Sequence, residues 1–185
     1  APDAQGPELG TIKGRVVLSH VRGTALPSNA YSPRAVSARP ATSTPEIKNV
    51  VVYLKGVPYR GPLAISRQQI VQDHESFVPR VVAVTKGSTV EFPNGDPVFH
   101  NVFSLSGAAT FDLGRYPKGQ SRARQFTKAG LVKVYCQIHS QMSASILVLD
   151  HPYFAVPDAP DGTFTITDVP AGTYTIVGWH ERVGE

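Results

Sequence analysis

LVKVYCQIHSQMSASILVLD, residues 131–150, sets the only cysteine of the chain, Cys136, and its only methionine, Met142, on either side of His139. The spacing is C-x2-H-x2-M. An apolar run flanks this loop on each side, Leu131–Tyr135 before it and Ala144–Leu149 after it, and both read as strands. Successive side chains of a strand face opposite ways. Cys136 therefore points inward with Val132 and Val134, while Leu131, Lys133 and Tyr135 point outward. Thiolate and thioether are soft donors that suit Cu(I), and imidazole suits copper in both oxidation states. Two histidines and one cysteine in a trigonal plane, with a weak axial methionine, form the electron-transfer geometry of blue copper. The loop offers three of these four donors, so a second histidine must come from elsewhere. Gln141 is an alternative axial donor, and Met142 fits the position better.

Upstream, Thr89–Phe92 reads as a strand, and Pro93-Asn94-Gly95-Asp96-Pro97 is a dense turn signal. That turn delivers the chain to Val98–Phe103, where His100 opens a strand at a position a Pro/Gly-fixed loop can hold rigid. His100 is the candidate for the missing ligand. His20, His74, His151 and His180 have no partners at ligand spacing and read as surface or internally satisfied histidines.

The 185 residues suffice for one large or two small domains. Sixteen prolines and sixteen glycines, with many Val, Thr and Tyr and no long helical periodicity, favour a turn-rich all-β protein. No apolar run approaches a membrane span. One cysteine excludes an internal disulfide framework. The start at Ala1, with no initiator Met, reads as a processed or trimmed chain, which permits export. Net charge is +4, spread rather than packed into one run, so nucleic acid is not the expected partner. Lys118, Arg122, Arg124 and Lys128 are candidates for steering an acidic one. Residues 22–46 carry no periodicity and read first as a solvated insertion; Arg22, Arg34 and Arg39 with Tyr31 offer a docking surface as the alternative. Further strands are expected at Leu9–Ser19, Val50–Leu54, Ile70–Val78, Arg80–Thr85, Thr163–Ile166 and Thr173–Trp179.

Residues 68–150 resemble the cupredoxins, the blue-copper family that includes plastocyanin, pseudoazurin, halocyanin and amicyanin. Val90-Glu91-Phe92-Pro93-Asn94-Gly95-Asp96 followed by His100-Asn101-Val102 resembles the family's first ligand motif. Phe126, Gly130, Tyr135-Cys136, His139 and Met142 resemble its second, and the short ligand loop is most like amicyanin. The resemblance implies a Greek-key β-sandwich with one Cu(I)/Cu(II) ion on His100, Cys136, His139 and Met142. It also implies that Asn101 steadies the ligand loop and hydrogen-bonds near the sulfur. His139 and Tyr135 are the expected paths for electrons.

Gly10–Val16 and the phrase Asp161-Gly162-Thr163-Phe164-Thr165-Ile166-Thr167-Asp168-Val169-Pro170-Ala171-Gly172-Thr173-Tyr174 resemble the carboxypeptidase regulatory-like, transthyretin-like β-sandwich. The expected organisation is a tail at 1–8, a small sandwich from 9–65 plus 158–185 without a closing strand before Glu185, and a cupredoxin domain at 66–157 inserted into it. The leading expectation is a non-enzymatic, extracytoplasmic electron carrier serving a redox protein, acidic in charge, such as a cytochrome or a dehydrogenase. A copper-delivery protein without redox turnover is the alternative. A cysteine hydrolase using Cys136 and a histidine is a third reading, and it would leave Met142 unexplained.

Overall fold

The computed structural model describes residues 8–18 and 46–185. The proposed docking residues Arg22, Tyr31, Arg34 and Arg39, together with His20, lie outside the described residues. Strand β1 is Leu9–Arg15; a 3-10 turn at Glu46–Asn49 leads into β2, Val50–Lys55. The central run is β3 (Arg67–Gln69), β4 (Val71–Asp73), β5 (Ser76–Val78), β6 (Val81–Thr85) and β7 (Thr89–Pro93). It continues through β8 (His100–Ser106), β9 (Ala109–Tyr116), β10 (Ser121–Gln125), β11 (Gly130–Tyr135) and β12 (Ser143–Leu149). The chain closes with β13 (Phe154–Ala155), β14 (Thr163–Pro170) and β15 (Thr175–His180). The described chain is all-β apart from the 3-10 turn, and no helix in it is long and apolar enough to cross a membrane.

Of five sheets among the described residues, four stack in layers and the fifth is the β4-β5 hairpin. A five-stranded sheet runs β6-β12-β11-β8-β9, and a three-stranded sheet, β10-β7-β3, faces it. From β6 to β12 the chain crosses between these two sheets at β6–β7, β7–β8, β9–β10 and β10–β11, which makes the Greek-key sandwich. The ends of the chain pair with each other: β1 with β14 in one sheet, and β13-β2-β15 in another. Strand β13 lies within 66–157 in sequence, yet it pairs with Val52 and Tyr53 of β2.

The layers explain the long apolar runs. In β2, Val50, Val52 and Leu54 enter the core between the two end sheets, with Ile166 and Val169. Val51 and Tyr53 face the other way, into a second core with Val177, Trp179, Val81, Leu147 and Leu149. In β12, Ala144, Ile146 and Val148 enter the sandwich core with Phe92, Val102, Val132 and Val134. Strands β2, β6 and β12 are thus covered on both faces, and such strands read as continuous apolar runs rather than alternating ones. At the meeting point of the chain ends, the Val16 N–H donates to the Gly162 carbonyl. Gly162 has φ +76°, and a Cβ there would sit 2.2 Å from the Val16 carbonyl oxygen. Only glycine fits that position.

Two expectations are corrected. Ile70–Val78 is not one strand but a tight hairpin, β4 paired with β5 in the register Asp73↔Ser76. Its turn residues His74 and Glu75 have φ of 50° and 54°. Their backbone N–H groups turn toward Asp96, as set out below, instead of continuing a ladder. Residues 105–130, which lie outside the expected strands, hold two full ones, β9 and β10. Strand β10 is exposed along its whole length; Arg122 stacks over the Tyr116 ring at 5.1 Å and Arg124 over Phe111 at 5.7 Å, covering the seam toward β9.

Candidate metal centre

The β11–β12 hairpin builds most of the site. Tyr135 pairs with Ser143, so Cys136 and Met142 are the first positions beyond the ladder. The alternation that buries Val132 and Val134 also buries Cys136, and that of Ala144 and Ile146 buries Met142. The loop between them is closed by its own backbone: Met142 N–H donates to the His139 carbonyl at 3.0 Å and Cys136 N–H to the Met142 carbonyl at 3.4 Å. His100 enters from β8 and is fully buried.

These elements bring three donors together. His100 Nδ1 and His139 Nδ1 each lie 3.9 Å from Cys136 Sγ, and 3.0 Å from one another. A point equidistant from the corners of that triangle is about 2.1 Å from each, a bonding distance for a transition-metal ion held by imidazole and thiolate. Among the described residues this is the one cluster of three or more His, Cys, Asp or Glu donors placed to hold a metal ion. Met142 is 1% exposed in the same core as Cys136. Gln141 is exposed, and its amide donates to Glu75 at 2.9 Å, which leaves Met142 as the axial candidate.

Asp96, which its sequence context marks only as a turn residue, orients His100. Its Oδ2 lies 2.7 Å from His100 Nε2. It also accepts the N–H of His74 at 2.6 Å and of Glu75 at 2.8 Å. Burial works to raise the Asp96 pKa, but those two backbone donors and the His100 ring outweigh it and hold the carboxyl below its usual range. The carboxylate fixes the proton on Nε2 and leaves the Nδ1 lone pair facing His139. Two such ring nitrogens at 3.0 Å require a proton or a cation between them. A ligating histidine typically donates its other N–H to a carboxylate in this way. The turn carrying Asp96 is stitched by Asn94, whose Oδ1 accepts the Asp96 N–H and whose Nδ2 donates to the Val98 and Tyr116 carbonyls. The legible signal was the i, i+4 spacing of Asp96 and His100.

Asn101 binds the far side of the loop, its Oδ1 accepting the Gln137 N–H at 2.7 Å. Its Nδ2 donates to Asp112 at 3.4 Å, and Asp112 in turn accepts the Gly114 N–H at 2.7 Å. No local sequence signal marks Asp112, which acts from the neighbouring strand β9. Below the site, the Tyr116 hydroxyl donates to the Phe92 carbonyl and accepts from Gln72; burial pushes its pKa up to about 12.

The remaining candidates stand apart from the cluster. Tyr135 is exposed, its ring centroid 5.9 Å from that of Phe103. His74 pairs with Asp73. His151 accepts the Tyr153 N–H through Nδ1, and His180 accepts that of Arg182 while its Nε2 meets Glu46 at 3.2 Å. Of the four proposed steering cations, Arg122 donates to the carbonyls of Leu113 and Arg115 and Lys128 to that of Gly107.

No family model matches the chain. No curated protein matches it either. Several solved structures are similar over about half of it. A copper-containing nitrite reductase from Thermus scotoductus SA-01 shares 26% identity over 52% of this chain, with a TM-score of 0.43. This chain spans only 24% of that enzyme's length. A purple cupredoxin from Nitrosopumilus maritimus shares 23% identity over 44% of this chain and 99% of its own, with a TM-score of 0.40. The reduced state of an amicyanin variant shares 25% identity over 46% of this chain and 82% of its own, with a TM-score of 0.41.

Proposed function

We propose that this protein carries single electrons at a type 1 copper centre, one ion per chain, held by His100, Cys136, His139 and Met142. The observation that carries the reading is the closed triangle of two imidazole nitrogens and one cysteine sulfur, with Met142 buried in the same core as Cys136. The donor chemistry fits copper: soft sulfur ligands suit the reduced ion and imidazole suits both states. Bound copper would supply a one-electron Cu(II)/Cu(I) couple.

The residues supply the rest. Asp96 keeps the Nδ1 lone pair of His100 aimed inward, and Asn101 pins the loop just past Cys136. The apolar sandwich core excludes water from the sulfur side. Four protein donors leave no position open for a substrate, which argues for transfer of electrons and against hydrolysis. His139 is the one donor of the triangle that is not fully buried, and exposed Val98, Phe99 and Ile138 lie beside the two histidines in sequence. That rim is the proposed port to a redox partner, a cytochrome or a dehydrogenase, with Tyr135 as a second path. Lys118 and Arg124 would favour an acidic partner surface. The compartment proposed is extracytoplasmic. We read segments 9–65 and 158–185 as a regulatory-like sandwich around a copper domain at 66–157; the pairing of β1 with β14 supports this.

One absorption spectrum of the copper-loaded chain tests the function. An intense visible thiolate-to-copper band is expected, and Cys136→Ser should abolish it. Met142→Gln should keep copper and lower the midpoint potential, because a harder axial donor favours Cu(II). Copper uptake without the band would favour a delivery protein, and a Cys136→Ser variant that stays blue would overturn the ligand assignment.

A further inference from the structure

The two halves of the metal pocket come from distant segments, β8 and the 136–142 loop. One short element touches both: the turn of the β4–β5 hairpin. Its two central residues, His74 and Glu75, are neither glycine nor asparagine, yet both have positive φ, 50° and 54°. Left-handed backbone at such residues is costly and persists where the surroundings over-determine it. Here it aims two successive N–H groups at one carboxylate, that of Asp96, which holds His100. The same turn puts the Glu75 side chain 2.9 Å from Gln141 Nε2, one residue before Met142. Glu75 and Gln141 are both exposed, outside the sandwich core that takes Phe77 from β5 and Ile70 from just before β4.

We propose that Glu75 is a positioning residue of the metal pocket, tying the ligand loop to the turn that orients His100 so that the two halves keep their spacing before any ion binds. The Gln141 amide donates to the Glu75 carboxylate, and the hairpin passes that restraint to Asp96 through its backbone. The consequences for copper rest on the function proposed above; the hold on the loop does not.

The test uses the full chain and four variants: Glu75→Ala, Gln141→Ala, both together, and Glu75→Gln, which keeps an acceptor for the amide. In the metal-free protein, amide relaxation should show residues 137–141 loosened equally in both alanine variants and restored in Glu75→Gln. In the Cu(II)-loaded protein, loss of copper to a chelator should quicken about two- to fivefold in each single variant, the effect of one exposed hydrogen bond. The double variant should be no faster than either single one, since both remove the same bond. A merely structural role would instead lower the melting temperature of the metal-free chain, which should stay put. Unchanged relaxation in Glu75→Ala, or additive release rates in the double variant, overturns the proposal. A wild-type chain that takes up no copper overturns the function, while the relaxation result still decides for or against the hairpin's hold on the loop.

Discussion

Replacing Asp96 by asparagine keeps the size of the side chain and removes its charge and half of its acceptor capacity. In the native turn three donors converge on the carboxylate: the N–H groups of His74 and Glu75 and the Nε2–H of His100, at 2.6, 2.8 and 2.7 Å. An amide has one oxygen to offer, so at least one donor meets an NH2 group instead of a lone pair. A hydrogen bond to a charged group contributes about 1.5–3 kcal/mol net, and an unsatisfied buried donor costs about 1–3 kcal/mol. Relief from burying a carboxylate offsets part of this. The expected loss is about 2–4 kcal/mol, which for a chain of 185 residues lowers the melting temperature by about 4–16 °C. Thermal unfolding of the metal-free protein gives the number, and hydrogen exchange at the His74 and Glu75 amides gives its location. A variant that melts within about 2 °C of the wild type, with those two amides still protected, would refute the claim that Asp96 anchors the turn and His100.

Three further outcomes are expected. Trp179 is 6% exposed in the core between the end sheets and the five-stranded sheet, so Trp179→Ala should cost about 3–5 kcal/mol in urea unfolding; a loss under about 1 kcal/mol would mean the layers do not depend on each other. Burial lowers the His151 pKa, against the opposing pull of Asp150 and the Leu54 carbonyl. The unfolded chain therefore takes up that proton first, and stability should fall as pH drops below about 6.5. His151→Asn, which does not titrate, should flatten the stability profile between pH 7 and 5, and an equally steep profile would count against it. Gly114 has φ +70°, and a Cβ there would lie 2.9 Å from Arg122 Nη1. Gly114→Ala should destabilise by about 1–2 kcal/mol, and Arg122→Ala should recover only the overlap, a shortfall that a double-mutant cycle measures.

The sequence by itself determined the features that local chemistry encodes. C-x2-H-x2-M between two apolar runs fixes a hairpin whose first unpaired positions carry Cys136 and Met142, because a period of two decides which side chains share a face. The Pro-Asn-Gly-Asp-Pro turn before His100 likewise encodes its own rigidity. The continuous apolar runs at Val50–Leu54 and Ala144–Leu149 marked strands, though not that each is covered on both faces. The tertiary structure decided the rest, and each case turns on a contact between distant residues. Ile70–Val78 alternates well enough for one strand, yet it breaks at His74 because the Asp96 carboxylate, 21 and 22 residues away from the amides it captures, is a stronger acceptor than any ladder partner available there. Arg122 and Arg124 read as free cations, but two core aromatics on the neighbouring strand draw their guanidinium groups onto the seam. Asp112 reaches Asn101 only because a β-ladder places β9 beside β8. Periodicity records which way a side chain points; what it meets there depends on how the sheets stack.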